Sequence, residues 1–565
     1  MIRLVDAPAA DDGVGQAPDD MAGALPFIGR TVEYRPGESL VVERILDLAE
    51  DLHLADHAFV HAPGVKPLSA CLPVLPMTLS LEAMAEAAAC LAPGYGLIGA
   101  AEAKASRWIE LADVDRLALR IVARHEAYDA SRDVHQIRAA IQPDGAPAPA
   151  VTALFFFSKR YRLDLAFTLS AFSRPHPHAL TGEEIYRERL LFHGPAYQCL
   201  AGPITLADEG VACEMRALSA AGLFRSNARP QLLLDPQILD GIGQLIGVWA
   251  MARERYVFPI GLKRLELYRP SPAAGTRLPV RIDITSDSGK TLEANIEAQD
   301  GAGGVWMRIE GWRMWKFRWD RRFVDFRRAP AREALSDDYA LEGFAGVCRM
   351  IRLSDVSDFD LALLARHYLH VEEMPAFTQK AGAPRRQRQW LLGRVAAKDA
   401  VRAWLKRAGA EAIHPAALRI VHDESRQPVI RHAALPDARL PKISIAHCDD
   451  RAIAAAHQEP VGIDIEPVAP RDAAFCETLC APAERLLLDE RAKACDATTD
   501  EWMTRLWCAK EALGKHRGSG VDGAVRKLAA IAISADGAID ILPRGEAHSR
   551  RVTTLRDGDV IIAWT

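Results

Sequence analysis

Two long apolar helices, each followed by a run of alternating strands, constrain the fold of this chain more than any other feature. The first helix is predicted from Pro76 to Leu91 and ends before Pro93-Gly94. The second begins at Pro236, with Asp235 placed as its cap, and stays apolar through Trp249. Both are apolar nearly all round, so we expect each to be buried.

Period-two alternation follows each helix and predicts antiparallel sheet. The alternating apolar stretches lie at 117–123, 137–141 and 151–157 after the first helix, and at 280–284, 292–296 and 305–309 after the second. The same order twice indicates an internal duplication of structure without obvious duplication of sequence. It favours a sheet wrapped around a central helix, side by side with its copy.

The chain has 565 residues, too many for one compact core, so we expect several domains. The acidic, Ala- and Pro-rich residues 1–24 are predicted to form a flexible leader. The charged segment 321–350 lacks periodicity and is predicted to link a domain at 25–320 to a second at 351–565, where helices and strands alternate. The expected fold class is α+β.

Charge and cysteine usage exclude several classes of protein. Asp plus Glu number 75 and Lys plus Arg 70, which gives no reason to expect nucleic-acid binding. The ten cysteines show no paired C-x-x-C spacing, so a reduced compartment fits better than a disulfide or zinc framework. Glu82 and Glu86 interrupt the longest apolar stretch, and the leader is not basic. We therefore expect a cytoplasmic protein that does not enter a membrane.

A histidine and an aspartate, one in each repeat, are the first candidates for chemistry. His57 precedes the first helix, and Asp240 and Gln244 lie four apart on one face of the second. Burying Asp240 in an apolar helix raises its pKa, so it could donate a proton at neutral pH. A neutral histidine facing it would complete a base–acid pair for removing water from a β-hydroxyacyl chain. The alternative is a satisfied helix aspartate and an ordinary loop histidine.

Five segments of the first half carry a family resemblance: Asp56-His57, LPVLPMTLSLEAMAEAA, LLFHGPAYQCL, LLDPQILDGIGQ and FPIGLKRLELYRP. With them, residues from about 25 to 320 resemble the double-hotdog dehydratases of polyketide and polyunsaturated fatty acid synthases. The resemblance implies that His57 removes the α-proton, that Asp240 protonates the leaving hydroxyl, and that Gln244 orients Asp240. His193 stands where the family has the tyrosine of a Tyr-Gly-Pro turn.

One departure concerns the usual His-x3-Gly-x4-Pro spacing of that family. Here Gly64 and Pro73 or Pro76 lie too far along the chain from His57. The backbone donor for the thioester oxygen is therefore left open, and His61 is a second candidate for the base.

Two carboxylates and a helix with regularly spaced polar residues form the second constellation. VGIDIE, at Val461 to Glu466, is predicted as a strand with Asp464 and Glu466 on one face, where a hard cation such as Mg²⁺ would relieve their repulsion. LWCAKEALGK is predicted as a helix that presents Trp507, Glu511 and Lys515 on one face. Taken singly, such features are more often a solvated face or a surface ion pair.

Taken together, VGIDIE and W-x2-KE-x3-K resemble the surfactin-type 4'-phosphopantetheinyl transferases. The resemblance covers about 360 to 565 and includes RRQRQWLLGRVAAKDAV and ISIAHC. It implies a pseudo-twofold α/β domain that uses Mg²⁺ and coenzyme A. The implied metal ligands are Asp464, Glu466 and Glu511, and the implied coenzyme A contacts are Arg388, Arg394, His447, Lys510 and Lys515. Glu511, with Lys515 supporting the diphosphate, or a metal-held water would take the proton from a carrier serine.

A departure lies at Arg426-Gln427-Pro428, because Gln427 stands where the family has a Lys or Arg and supplies no positive charge.

These observations favour a bifunctional accessory subunit of a polyketide or polyunsaturated fatty acid type synthase. Its partner would be an acyl carrier protein from another polypeptide, unless this chain is the tail of a longer one, because these residues include no Asp-Ser-Leu/Met carrier site. Pairing into a homodimer is implied by the family alone. Two alternatives stay open: one half, more readily the hotdog half, is an inactive docking scaffold, or the hotdog half is a thioesterase or isomerase.

Overall fold

The computed structural model describes residues 3–6, 24–60, 67–163, 168–357, 359–495, 497–518, 520–521 and 525–565. They divide into two compact units, with the division between Trp319 and Asp320. Each unit combines helices with antiparallel sheet, so the predicted α+β class is confirmed.

The first unit contains, among its described residues, seventeen strands and three α-helices. Its strands are β1 (Arg3–Asp6), β2 (Arg30–Arg35), β3 (Ser39–Asp47), β4 (Val74–Leu75), β5 (Gly96–Ala105), β6 (Ile109–Glu110), β7 (Arg116–Asp129), β8 (Val134–Pro143), β9 (Val151–Ser158), β10 (Arg160–Leu163), β11 (His176–Pro177), β12 (Leu200–Ala207), β13 (Gly210–Arg216), β14 (Tyr256–Leu267), β15 (Arg277–Ser288), β16 (Thr291–Gln299) and β17 (Val305–Phe317). Its helices are α1 (Met77–Ala89), α2 (Gly182–Arg187) and α3 (Pro236–Met251).

Thirteen of these strands form one sheet whose strand order repeats. Outward from β5 the order is β5-β9-β8-β7-β3-β2, and outward from β14 it is β14-β17-β16-β15-β13-β12, with β11 at the edge. In each half, the two outermost of these six strands precede the long helix in the chain and the other four follow it. The halves join where β14 pairs with β5, as at Leu265 and Ala100.

The long helices α1 and α3 lie in the core against this sheet. Pro76 is the residue before α1 rather than its first residue, and the Asp235 carboxylate caps α3 by accepting the Ile238 N–H at 3.2 Å. Every residue of α1 is buried, including Glu82. Apolar as these helices are, no described helix is both long and apolar enough to cross a membrane.

Glu82 links the two repeats. Its carboxylate accepts the Leu233 N–H at 2.6 Å and the Leu234 N–H at 2.8 Å, in the segment that leads into α3. Burial raises the pKa of Glu82 to about 7, although these two hydrogen bonds lower it. Glu82, a charged residue in a largely apolar helix, thus satisfies backbone donors that the core would otherwise leave unpaired.

The second unit contains eleven described strands and seven described α-helices. The strands are β18 (Asp337–Asp338), β19 (Val347–Arg352), β20 (Leu418–His422), β21 (Pro428–His432), β22 (Lys442–His447), β23 (Arg451–His457), β24 (Ile463–Pro467), β25 (Leu528–Ile533), β26 (Ile539–Pro543), β27 (Arg550–Asp557) and β28 (Val560–Trp564). The helices are α4 (Arg321–Arg328), α5 (Leu361–Tyr368), α6 (Met374–Thr378), α7 (Pro384–Arg407), α8 (Ala473–Leu479), α9 (Pro482–Ala494) and α10 (Thr499–Arg517).

The two larger sheets of this unit each pack on one long helix, and β20 and β21 form a separate two-stranded sheet. The sheet β18-β19-β23-β22 packs on α7, and the sheet β24-β28-β27-β26-β25 packs on α10. The edge strands β22 and β24 meet, where the Ser444 hydroxyl accepts the Ile463 N–H at 3.0 Å. This junction brings the ends of both larger sheets to one place.

The predicted linker at 321–350 is wrong, because these residues are folded within the second unit. Phe323 and Phe326 on α4 are fully buried, and Phe326 stacks on Tyr368. The segment is rich in charged residues, but Phe323 and Phe326 are three residues apart and therefore share one face of α4, which is buried. Of the predicted leader 1–24, residues 3–6 form β1, which pairs with β10, and residues 1–2 and 7–23 lie outside the described residues.

Candidate active sites

His57 is held in a short two-stranded arrangement just before α1. The chain from His57 to Val60 runs antiparallel to 71–74, with the Val60 N–H donating to the Cys71 carbonyl at 2.9 Å and the Val74 N–H to the His57 carbonyl at 3.0 Å. Nδ1 of His57 lies 2.7 Å from the Val74 carbonyl oxygen. Since a carbonyl oxygen only accepts, Nδ1 carries the hydrogen, and in the neutral ring Nε2 keeps its lone pair.

The same pairing explains the stretched spacing after His57. Pro73 forms a bridge with Ala58, so residues distant in sequence are adjacent in space. His61 and Gly64 lie outside the described residues, and His61 stays a second candidate for the base.

Asp240 projects from α3 and is only 8% exposed. The Gln244 amide donates to Asp240 Oδ2 at 2.8 Å and to the Tyr197 carbonyl at 2.9 Å. The Tyr186 hydroxyl donates to Gln244 Oε1 at 2.6 Å, which fixes the orientation of the amide. Burial raises the pKa of Asp240 to about 7, and the hydrogen bond from Gln244 lowers it. The carboxyl therefore holds a proton for about half of the time at neutral pH.

Two histidines face the carboxyl of Asp240. His57 Nε2 lies 4.0 Å from Oδ1, and His193 Nε2 lies 3.3 Å from Oδ2. The structure thus brings His57, Asp240 and Gln244 together, as the sequence analysis expected. It adds His193, to which the sequence analysis gave no role.

The turn that carries His193 is fixed by Asp56. The Gly194 N–H donates to the Asp56 carbonyl at 2.7 Å, and the Ala196 N–H donates to Asp56 Oδ2 at 2.8 Å. A Cβ atom at Gly194 would come within 2.2 Å of Asp56 Oδ1, so the close approach requires glycine. The sequence signals for this contact are Asp56, which precedes His57, and Gly194, which follows His193.

Aromatic rings line one side of this site and extend to the surface. Phe192 stacks on His193 with ring centroids 4.1 Å apart and lies 5.0 Å from the ring of His57. Phe59 lies 4.6 Å from Phe192 and stacks on Trp108 at 5.0 Å. Trp108 is 46% exposed. An apolar wall of this kind limits water around the carboxyl and suits an acyl chain.

Asp464 and Glu466 project from β24, and Asp464 is almost completely buried. Lys515 Nζ donates to Asp464 Oδ1 at 2.7 Å, whereas Oδ2 is buried without a hydrogen-bond partner. The Trp507 indole N–H donates to Glu466 Oε1 at 3.3 Å. Burial, and secondarily the charge of Asp464, raise the pKa of Glu466.

Glu511 lies between Trp507 and Lys515 on the same face of α10. Both neighbours contact carboxylates of β24, so the half-buried Glu511 lies on the face turned towards that strand. Helix and strand approach closely because Gly462 has no side chain: a Cβ there would come within 1.8 Å of the Ala512 carbonyl oxygen.

The residues predicted to bind coenzyme A differ in their exposure to solvent and in their contacts. Arg388 on α7 is exposed, and His447 ends β22, where partial desolvation and the charge of Lys515 lower its pKa. Arg394 is buried, pairs with Glu373 at 3.1 Å, and lies over the Trp390 ring.

Lys510 differs from its predicted role. It is fully buried, and its Nζ lies 2.8 Å from both Glu484 Oε1 and the Leu479 carbonyl oxygen. A diphosphate contact is incompatible with this position, because Lys510 faces α9 rather than β24. Gln427 also has a structural contact, since its amide donates to the Lys515 carbonyl at 2.7 Å, near the end of α10.

Comparison with known proteins finds one family match within each half of the chain. The model of the polyketide synthase dehydratase N-terminal domain matches residues 165–321, which include α3 and Asp240. The model of the 4'-phosphopantetheinyl transferase superfamily matches residues 460–564, which include β24 and α10. Both resemblances inferred from the motifs are confirmed.

Solved dehydratase domains are also similar to part of the chain. The dehydratase domain of PpsC from Mycobacterium tuberculosis, in complex with C12:1-CoA, is 17% identical over 52% of this chain and 100% of that domain, with a TM-score of 0.38. The dehydratase domain from the CurF module of curacin polyketide synthase is 16% identical over the same shares, also at 0.38. GphF dehydratase 1 is 16% identical over 52% of this chain and 98% of that domain, at 0.37. No curated protein matches the sequence significantly.

Proposed function

We propose that this chain, which carries a polyketide synthase dehydratase match and a phosphopantetheinyl transferase match, is a bifunctional accessory enzyme of a polyketide or polyunsaturated fatty acid type synthase. Its second half transfers 4'-phosphopantetheine from coenzyme A to a serine of an acyl carrier protein. Its first half, a double hotdog, dehydrates β-hydroxyacyl chains carried on that arm. The domain matches support this assignment, and the facing of His57 and Asp240 carries the dehydratase part.

The dehydration step uses one group that accepts a proton, His57, and one group that donates a proton, Asp240. His57 Nε2, with its lone pair directed into the site by the Nδ1 contact to Val74, removes the α-proton. Protonated Asp240 donates its proton to the departing β-hydroxyl, and water leaves as the double bond forms. Gln244 holds the Asp240 carboxyl in place. Dehydration needs an acid that donates a proton to the departing hydroxyl, and Asp240 facing His57 would supply it.

Mg²⁺ fits the second half on the chemistry of its donors. Asp464 presents a buried carboxylate oxygen without a hydrogen-bond partner, beside Glu466 and facing α10. In the proposal Asp464, Glu466 and Glu511 hold the ion, which when bound neutralises charge on the diphosphate. Lys515 supports the diphosphate.

The transfer itself is a displacement at phosphorus. Glu511 accepts the proton of the carrier serine, whose oxygen attacks the β-phosphate of coenzyme A. The phosphoanhydride bond breaks, and 3',5'-adenosine bisphosphate leaves. Arg388 and His447 are proposed to contact the nucleotide phosphates. Arg394, which lies on α7 with Arg388, is proposed to contribute to the binding of coenzyme A.

Incubation with apo-carrier protein, coenzyme A and Mg²⁺, followed by intact mass measurement, tests the transferase. A phosphopantetheine adduct is expected with the wild type and not with Asp464→Asn. Absence of the adduct on every cognate carrier tried would refute the transferase assignment.

A 3-hydroxyacyl carrier substrate tests the dehydratase. Loss of water is expected with the wild type, and not with His57→Ala or Asp240→Asn. His125→Ala removes a histidine remote from the site, on β7, and should leave the rate unchanged. Equal turnover in all four proteins would mean that other residues perform the reaction. No turnover in the wild type would favour the second candidate, an inactive hotdog half that docks the carrier.

A further inference from the structure

The two histidines and the aspartate of the first half also form a set of metal ligands. In the described part of the chain they are the one group of three His, Cys, Asp or Glu side chains whose ligand atoms all lie within 4.8 Å of one another. The predicted magnesium carboxylates Asp464, Glu466 and Glu511 do not meet this distance. The tighter of the two clusters therefore lies in the half for which no metal was expected.

The distances within this group suit a small transition-metal ion. Zinc binds imidazole nitrogen and carboxylate oxygen at about 2.0–2.2 Å, so neighbouring ligand atoms of a tetrahedral site lie roughly 3.3–3.5 Å apart. His193 Nε2 and Asp240 Oδ2 are 3.3 Å apart, which fits without movement. His57 Nε2 lies 4.0 Å from the other carboxylate oxygen, Oδ1, and the ligand atoms of all three residues lie within 4.8 Å of one another, so the side chains would have to move together by about 1 Å to share one ion.

The contacts around these ligands are those of a supported metal site. Ligating histidines usually place their second ring nitrogen against a backbone carbonyl, and Nδ1 of His57 does so at Val74. Ligating carboxylates are usually held by a hydrogen-bond donor, and Gln244 supplies one to Asp240. Two of the three ligands, His57 and Asp240, are thus directed by partners that the fold provides.

We propose that His57, His193 and Asp240 bind a first-row transition-metal ion of the zinc type, with a position left open on the side of the substrate site. Two imidazoles and one carboxylate favour Zn²⁺ over Mg²⁺, which prefers oxygen ligands. The bound ion occupies the lone pair of His57 and the carboxylate of Asp240. Metal binding and dehydration are therefore mutually exclusive, an expectation that rests on the proposed function of the first half.

Cobalt absorption tests the site directly on the full-length, metal-free protein. One equivalent of Co²⁺ is expected to give intense visible absorption, as a four- or five-coordinate site with nitrogen ligands does, and Zn²⁺ should remove it. His193→Phe and Asp240→Asn should each weaken Co²⁺ binding by more than the 10- to 100-fold that loss of an outer partner costs. Far-ultraviolet circular dichroism establishes that both variants are folded.

Two matched variants separate this site from other places where Co²⁺ could bind. Asp464→Asn removes a carboxylate of the transferase half, and His125→Ala breaks a pair of rings in which His125 Nε2 and His135 Nδ1 lie 2.9 Å apart. Both should keep the full absorption. Failure of the wild type to show the band, its persistence in folded His193→Phe and Asp240→Asn, or its loss in either control would overturn the proposal. The readout needs no dehydration, so it is independent of the proposed activity.

Discussion

The protonation of Asp240 is the most direct test of the dehydratase mechanism. The carboxyl has an ordinary pKa of 3.8, and burial raises it to about 7. At pH 7 about half of the molecules then carry the proton, against roughly one in 1,600 at the ordinary pKa. The site therefore disfavours the charged form of the carboxyl by about 4 kcal/mol.

The sign of the pH dependence follows from the role of the acid. A carboxyl that must donate a proton is active below its pKa, so kcat/KM should fall tenfold per pH unit above about 7. Asp240→Asn removes the proton donor and should lower kcat/KM by about 10²–10⁴. Gln244→Ala removes a donor that stabilises the charged form, so the pKa of Asp240 should rise and the alkaline limb should move to higher pH.

The assay is dehydration of a 3-hydroxyacyl carrier between pH 5.5 and 9, followed by intact mass of the carrier. Asp235→Asn is the matched control, because it makes the same change on the same helix and asparagine keeps the cap of α3. This control should show the same decrease in kcat/KM above about pH 7 as the wild type. A wild-type profile without a limb near pH 7, or a limb that Gln244→Ala leaves in place, would refute the assignment of Asp240 as the acid.

The other predictions concern the second half and the core. Lys510→Met leaves the buried Glu484 carboxylate without its counter-ion, although the Ala481 and Ala530 N–H groups still donate to it, and should lower stability by up to about 3–5 kcal/mol, measured as a lower melting temperature. Lys510→Met with Glu484→Gln should recover part of this loss, whereas a loss confined to the KM for coenzyme A would instead favour the phosphate contact. Asp464→Asn should abolish carrier modification and leave dehydration of a preloaded 3-hydroxyacyl carrier unchanged, and a parallel loss of both activities would contradict the independence of the two sites. Glu82→Leu leaves two buried N–H groups unpaired and should cost roughly 1–3 kcal/mol for each, measured by urea unfolding, and an unchanged midpoint would contradict the role of Glu82 in joining the repeats.

Features that depend on neighbours in the chain could be predicted from the sequence. The spacing of four between Asp240 and Gln244 makes them adjacent on any α-helix, and they are hydrogen-bonded here. Strand alternation puts Asp464 and Glu466 on one face for the same local reason. The two buried helices and the strands that follow them were also predictable, because helical and strand periodicities differ.

Features that depend on distant segments needed the tertiary structure. His193 is 47 residues from Asp240 in the chain, and only the fold of its turn against Asp56 brings the two within 3.3 Å. The long sequence separation after His57 is not a long separation in space, because backbone pairing returns Pro73 to Ala58.

The adjacent residues Lys510 and Glu511 show most clearly what the sequence determines and what the tertiary structure decides. Motif resemblance assigned Lys510 and Glu511 to one site, yet successive residues of an α-helix point about 100° apart. Glu511 lies between two residues that contact β24, while Lys510 is directed into the core, where Glu484 pairs with it. Sequence alone determined that a charged helix follows the carboxylate strand. Which of its charges meet that strand was decided by how α10 packs, because packing fixes the rotation of the helix about its axis.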